Sequence, residues 1–212
     1  YSQMIGPLVP ARVTRENLRL GLETYVRLLG ARPRLALVNE QAYAGGLVGL
    51  YADAGFDGLI MDFDNPASQH PEWHGETGFL PQYAVGPDGR RIALVWSNTA
   101  AFQQLQRHAH GDTPLDTYRG FVRGRRGEAP RALCLYASDA EIFDFRPGRF
   151  KTEERLSGGE WQRIAGAFAA VRQDGAVFVP PSQVLDMLSM PGAGRDLVLD
   201  EVSKAGEDPF AA

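Results

Sequence analysis

"RLALVNEQAYAGGLVGLYADAGFDGLIMD", residues 34–62, decides the fold. It opens on a short apolar run, "RLALV", that reads as a buried strand. A helix follows over "GGLVGLYADAG" and stops at Gly55, and "FDGLIMD" reads as a second strand ending at Asp62. Strand, helix and strand within roughly 30 residues is the length of a parallel βαβ unit. At the mouth of the first strand stands Glu40, between two amides, Asn39 and Gln41. A carboxylate buried without partners costs a great deal of free energy, so Glu40 belongs either to an exposed loop or to a site.

The same alternation continues in both directions. Upstream, the prolines of "IGPLVPA" suit an extended loop, and Thr14 is expected to cap a helix over residues 15–29 that ends at Gly30. Leu18, Leu22, Tyr25, Val26 and Leu29 recur there at helical spacing. Downstream, residues 63–90 form a long excursion rich in Pro, Gly, His and Asp, with a hairpin around "VGPDGRRI" turning at Asp88-Gly89. Loops of that length often line a site. "IALVW" is the third strand, and helices are expected at 99–109 and over "LDTYRGFVRG". "ALCLYA" (132–137) reads as a fourth strand, a helix covers 159–172, and "AVFV" (176–179) reads as a fifth strand. A last helix starts at Ser182. This pattern predicts an α/β fold with a parallel sheet, open or closed into a barrel; the apolar runs are continuous, as strands buried on both faces require. A closed barrel needs more than five strands, so a strand is expected to lie upstream of residue 1.

Composition narrows the function classes. At 212 residues the chain suits one large domain, with residues 1–190 as its body and a polar, Gly-rich, mobile tail over 191–212. Hydrophobic content of 44% and charged content of 23% are ordinary for a globular protein. A formal net charge of −4 argues against nucleic acid as a partner. The local basic patch "RGFVRGRRG" (119–127) reads as a solvated loop, with acidic-ligand contact as the alternative. No apolar run reaches the roughly 18–20 residues that span a bilayer, and no signal peptide is visible. No membrane partner is expected, and the expected location is cytoplasmic. The single cysteine, Cys134, allows neither an internal disulfide nor a multi-cysteine zinc site.

Three predicted strands end in acids: Glu40, Asp62, and Asp139 with Glu141. The carboxyl ends of parallel strands are where barrels and open α/β sheets assemble their sites. A carboxyl pair on one rim performs acid and nucleophile work when its surroundings push the two pKa values apart. Asp62, in "DFDNP", equally fits turn chemistry. Glu40 fits it poorly, because glutamate is a weak cap and a weak turn residue. Aromatic residues gather near the strand ends and in the long loop: Tyr43, Trp73, Trp96, Tyr136, Phe143 and Phe145. Core packing is the plain account of each; with the acids, they favour a carbohydrate, whose apolar ring faces pack on aromatic faces.

Other chemistries find less support. His70 and His74 are four apart but interrupted by Pro71, and His108 and His110 sit at a predicted helix end where positive charge suits the dipole; no metal is assigned to either pair. "LSGGEW" lacks the lysine of a phosphate loop, and no Gly-x-Ser-x-Gly elbow occurs. No cofactor is expected.

At these residues the chain resembles glycoside hydrolase family 57, the retaining α-glucan-active enzymes built on an incomplete (β/α)7 barrel. "YSQMIGPLVP" is similar to a family segment reading roughly Tyr-x-His-Pro-Ile-x-Pro-Leu, and residues 31–62 resemble the stretch that holds the nucleophile in a Pro-Glu-x-Ala-Tyr motif. "YASDAEIF" resembles the family's Asp-x-Glu motif, and "EW" at 160–161 a segment that comes after it. Asn39 stands where the family usually has proline, Gln41 replaces a frequent cysteine or leucine, and "IFDFRPGRF" replaces Gly-His-Trp. The family's opening strand with its His-Gln-Pro motif is absent from these 212 residues. The resemblance implies Glu40 as nucleophile, Asp139 as general acid/base and Glu141 as its supporting acid. It also implies an oligo- or polysaccharide substrate, here bound by Tyr43, Asp62, Trp73 and Trp96. A metal-dependent polysaccharide deacetylase, on a related barrel, and an inactive carbohydrate-binding relative are the other two readings.

Overall fold

The computed structural model describes residues 4–73, 75–127, 129–137, 143 and 159–199. The chain divides into two compact units, Tyr1–Trp96 with Pro180–Ala212, and Ser97–Val179. Among the described residues no helix is long and apolar enough to cross a membrane.

The first unit carries an α/β fold around a five-stranded, mostly parallel sheet. Its strands are β1 (Leu35–Leu37), β2 (Gly58–Asp62), β3 (Gln82–Val85), β4 (Arg91–Ser97, which ends at the boundary) and β5 (Asp196–Leu197), in the order β1-β2-β4-β3-β5. β1 and β2 pair in parallel, Leu35 opposite Gly58 and Leu37 opposite Ile60, joined through helix α2 (Leu47–Asp53) as the βαβ reading expects. β3 and β4 form the expected hairpin, antiparallel, with Val85 opposite Arg91. Its turn places Gly89 at φ +79, which glycine adopts without Cβ strain, and the Asp88 carboxylate accepts from the Arg90 N–H. β2 and β4 are buried along nearly their whole length, as the continuous apolar runs require. The core unites Val38, Leu59, Met61, Leu94 and Trp96 from the sheet with Leu47, Val48 and Leu50 from α2.

Helix α1 (Ala11–Leu29) ends as expected at Gly30, which takes the left-handed conformation and donates to Val26 O at 2.9 Å. Its start differs from expectation. Pro10, with φ fixed near the helical value, is the N-cap residue, so the helix begins four residues earlier and Thr14 is buried inside it. The stretch expected to be a mobile tail also contributes structure. β5 pairs in parallel with β3, Tyr83 opposite Asp196, and the buried Gln82 amide fastens it, donating to Gly192 O at 3.0 Å and accepting from the Arg195 N–H at 2.9 Å. Residues 182–188, expected as an α-helix, lie in a 3₁₀ run, Pro181–Ser189. Residues 200–212 lie outside the described residues.

The second unit is built from α4 (Thr99–His110), α5 (Leu115–Arg126) and α6 (Glu160–Gln173), α3 being the short turn Asp64–Ala67 of the first unit. Asn98 caps α4 by accepting from the Ala101 N–H at 2.9 Å. Leu105, Tyr118, Ala167 and Val171 form the core where the three helices meet. The basic stretch 119–127, expected as a solvated loop, instead continues α5 to Arg126. Asp174 explains how its charge is carried: Arg119 binds the carboxylate at 2.7 Å, Arg123 approaches it at 3.6 Å, and Asp174 titrates below the usual carboxylate range because of the Arg119 hydrogen bond. The expected fourth and fifth strands, 132–137 and 176–179, form no strand. Apolar runs of this length satisfy a strand pattern, but without a paired neighbour their backbone groups have no ladder to join, and Val177 is 83% exposed.

The interior position of β2, between β1 and β4, makes Leu59, with no exposed surface, an informative core residue. Leu59→Ala is expected to cost about 2–5 kcal/mol, lowering Tm by roughly 5–15 °C in a chain of this size. A thermal melt showing a loss under about 2 °C would contradict the packing described.

Candidate active site

The ends of β1, β2 and β4 in the first unit bring together Glu40, Asp62 and Trp96. Glu40 follows β1 in a 3₁₀ turn, Asn39–Gln41, and is exposed. Its backbone is left-handed, φ +53 and ψ +19, and so is that of Gln41, φ +55. Among the described residues these are the only non-glycine residues with positive φ. Left-handed backbone costs an L-residue roughly 1–2 kcal/mol, and such strain gathers at functional positions. Two side chains hold the turn. Asn39 Nδ2 donates to Met4 O at 2.9 Å, which ties the backbone at Met4 to the Glu40 turn. Gln41 Oε1 accepts from the Asp62 N–H at 2.7 Å, which ties the turn to β2.

Asp62, at the end of β2, is buried, and its Oδ2 accepts from the Asn65 N–H at 2.9 Å. The turn-forming role that "DFDNP" suggested is therefore present in the structure. Beyond it lies an aromatic group. Phe63 meets Trp96 edge-on at 5.3 Å and stacks on Trp73 at 6.2 Å, while His70 lies parallel to Trp73 at 4.3 Å with an interplanar angle of 4°. Trp73 is half-buried; Trp96 is buried against the core. His70 Nδ1 also bonds the Glu72 carboxylate at 3.0 Å.

Tyr43 is fully buried in the core behind the turn rather than on the rim surface. Neither its hydroxyl nor the indole N–H of Trp96 has a hydrogen-bond partner among the described residues. Sequence reasoning singled out Glu40, Asp62, Trp73 and Trp96, which the structure gathers at or beside these strand ends. It missed Phe63 and the stacking of His70, for which the only signal was their place in the excursion after β2, and it missed the role of Gln41. Asp139, Glu141 and His74 lie outside the described residues. The other histidine pair sits, as expected, in the last turn of α4: His108 Nδ1 donates to Thr113 O at 2.8 Å, and His110 Nδ1 meets the buried Glu160 carboxylate at 2.5 Å. Among the described residues no three His, Cys, Asp or Glu cluster as metal ligands would.

No family model and no curated protein sequence matches the chain. Among solved structures, it is similar to the crystal structure of the 4-alpha-glucanotransferase from Thermococcus litoralis. The TM-score is 0.72 at 16% sequence identity, over 94% of this chain and 29% of that one. The chain therefore spans under a third of the length of the structure it matches. The likeness is one of fold, and it accords with an α/β fold of the incomplete (β/α)-barrel type.

Burial gives Tyr43 a measurable signature. Its phenol is pushed up to about 12, as is that of Tyr118, against an ordinary value near 10. Below about pH 10 folded and unfolded chains both hold the proton. Between about 10 and 12 the unfolded chain releases a proton that the folded chain keeps, so stability falls as pH rises through that window. Tyr43→Phe removes this contribution, and its loss of Tm between about pH 9.5 and 11.5 is expected to be smaller than that of the unsubstituted chain. Equal losses would mean that the phenol is solvated.

Proposed function

We propose that this chain is a retaining glycoside hydrolase or glycanotransferase acting on α-glucans. Glu40 is the nucleophile, Asp139 the general acid/base and Glu141 its supporting acid. The observation that carries the reading is the exposed carboxylate of Glu40 on a strained, doubly anchored turn at the same strand ends as a group of aromatic rings. Two further lines support it: the motif resemblance to glycoside hydrolase family 57, and the likeness of fold to a protein named as a 4-alpha-glucanotransferase.

In this mechanism protonated Asp139 gives its proton to the glycosidic oxygen while Glu40 attacks the anomeric carbon. The bond to the departing sugar breaks and an ester between Glu40 and the anomeric carbon forms. Asp139 then takes a proton from water or from an acceptor hydroxyl, whose oxygen displaces Glu40 from the sugar. Both steps pass through an oxocarbenium-like transition state, whose positive charge the neighbouring carboxylates stabilise. Trp73, the half-buried member of the aromatic group, is the ring placed to contact a sugar. Asp62, at the end of β2, is an acceptor for sugar hydroxyls, while Tyr43 and Trp96, buried behind the rim, support it by packing. Water as acceptor gives hydrolysis; a second sugar gives transfer.

Glu40→Gln keeps the size and the left-handed turn but removes the nucleophilic oxygen. Turnover of an α-1,4-glucan oligosaccharide is expected to fall at least 1,000-fold, with the melting temperature changed by under about 2 °C. Full activity in the variant would exclude Glu40 as nucleophile. Binding of the glucan without turnover in either form would point instead to a carbohydrate-binding relative.

A further inference from the structure

The sheet ladder between β1 and β2 ends in an unusual way. The last regular bond runs from the Val38 N–H to Ile60 O at 2.9 Å. With Leu37 opposite Ile60, the next bond of a parallel ladder would run from the Asp62 N–H to Val38 O. Gln41 takes both of those groups. Its backbone N–H donates to Val38 O at 3.2 Å, and its side-chain oxygen accepts from the Asp62 N–H at 2.7 Å. The strand cannot extend, and the two residues that turn away from it, Glu40 and Gln41, are the ones held in left-handed backbone.

We infer that Gln41 is a positioning residue: by capping the ladder with its amide oxygen it locks Glu40 into the left-handed turn and aims that carboxylate at the rim. The inference rests on the reading of Glu40 as the reacting group. Without the amide oxygen the Asp62 N–H returns to Val38 O, β1 lengthens by a bond, and Glu40 relaxes out of the strained region. A glycine at 40 would carry the same φ without cost, but glycine has no carboxylate. The chain therefore keeps glutamate there and fixes the backbone through its neighbour's side chain. Gln41 touches neither the reacting atoms nor, in this scheme, the sugar, so its removal acts on how often Glu40 is aligned rather than on substrate affinity.

Two variants of the full chain separate the roles. Gln41→Met keeps the length of the side chain and loses the acceptor; Gln41→Glu keeps an oxygen for the Asp62 N–H. Against an α-1,4-glucan oligosaccharide, Gln41→Met is expected to lower kcat by about 10- to 100-fold with KM within about two-fold, the loss that a misplacement of the order of 1 Å produces. Gln41→Glu is expected to retain several-fold more kcat than Gln41→Met. Equal losses in the two variants, or a loss confined to KM, would overturn the inference.

A second measurement holds whether or not the chain turns over glucan. In left-handed backbone Glu40→Gly is expected to melt about 2–4 °C above Glu40→Ala, because only glycine escapes the Cβ clash. In a Gln41→Met background that advantage is expected to vanish. An undiminished glycine advantage there would show that Gln41 does not hold the turn. A chain without turnover that still passes this thermal test would leave the ladder cap standing and remove the catalytic reading of Glu40.

Discussion

The parallel pairing of Leu35–Leu37 with Gly58–Ile60 is the constraint on which the rim depends, because it fixes where both strands end and which residues come next on the same edge. With Leu37 opposite Ile60, Val38 and Met61 fall side by side and both are buried, which leaves the next residues no room to continue inward. Asn39, Glu40 and Gln41 must turn out, and Asp62 must begin a new turn into Asn65. The apolar register thus positions a carboxylate that makes no contribution to the core. Packing supplies the free energy that the left-handed turn costs: burying side chains such as Leu59 and Leu94 is worth about 2–3 kcal/mol each, against roughly 1–2 kcal/mol for each strained residue.

Much of the first unit was legible because its signals are local. The end of α1 at Gly30, the hairpin at Asp88-Gly89 and the βαβ unit follow from glycine conformation and from runs of apolar residues bounded by turn formers. The errors share a different cause. "ALCLYA" and "AVFV" have the composition of strands, yet strand formation requires a partner, and partners are set by the rest of the chain. β5 is the converse case, a strand of two residues whose signal is the pairing with Tyr83 and Ala84 and the Gln82 clamp, across more than 100 residues of sequence. The basic run after Arg119 looked solvated because Asp174, which gathers its arginines, lies 55 residues away.

The site divides along the same line. Glu40 stood out from sequence because an acid with poor turn propensity followed an apolar strand, and Asp62 because it stood at the next strand end. Neither spacing nor composition could reveal what Gln41 does, since its amide reaches an N–H 21 residues away and replaces a ladder bond that exists only once the sheet has formed. Phe63 was hidden for a related reason: directly after an apolar strand it reads as one more core residue, and only the fold stacks it on Trp73 and sets it edge-on to Trp96. Residues that bear chemistry are visible by type. Those that aim them become visible through tertiary structure.

The measurement that tests the central claim most directly is covalent trapping. The chain is incubated with a 5-fluoro-α-glucosyl fluoride, whose good leaving group speeds formation of a glycosyl ester and whose ring fluorine slows its breakdown, and is then digested and read by mass spectrometry. A glucosyl adduct on the peptide containing residues 35–46, localised to Glu40 and absent from Glu40→Gln, is the predicted result. An adduct on another carboxylate in a chain that turns over glucan would contradict the account, as would turnover with inversion at the anomeric carbon.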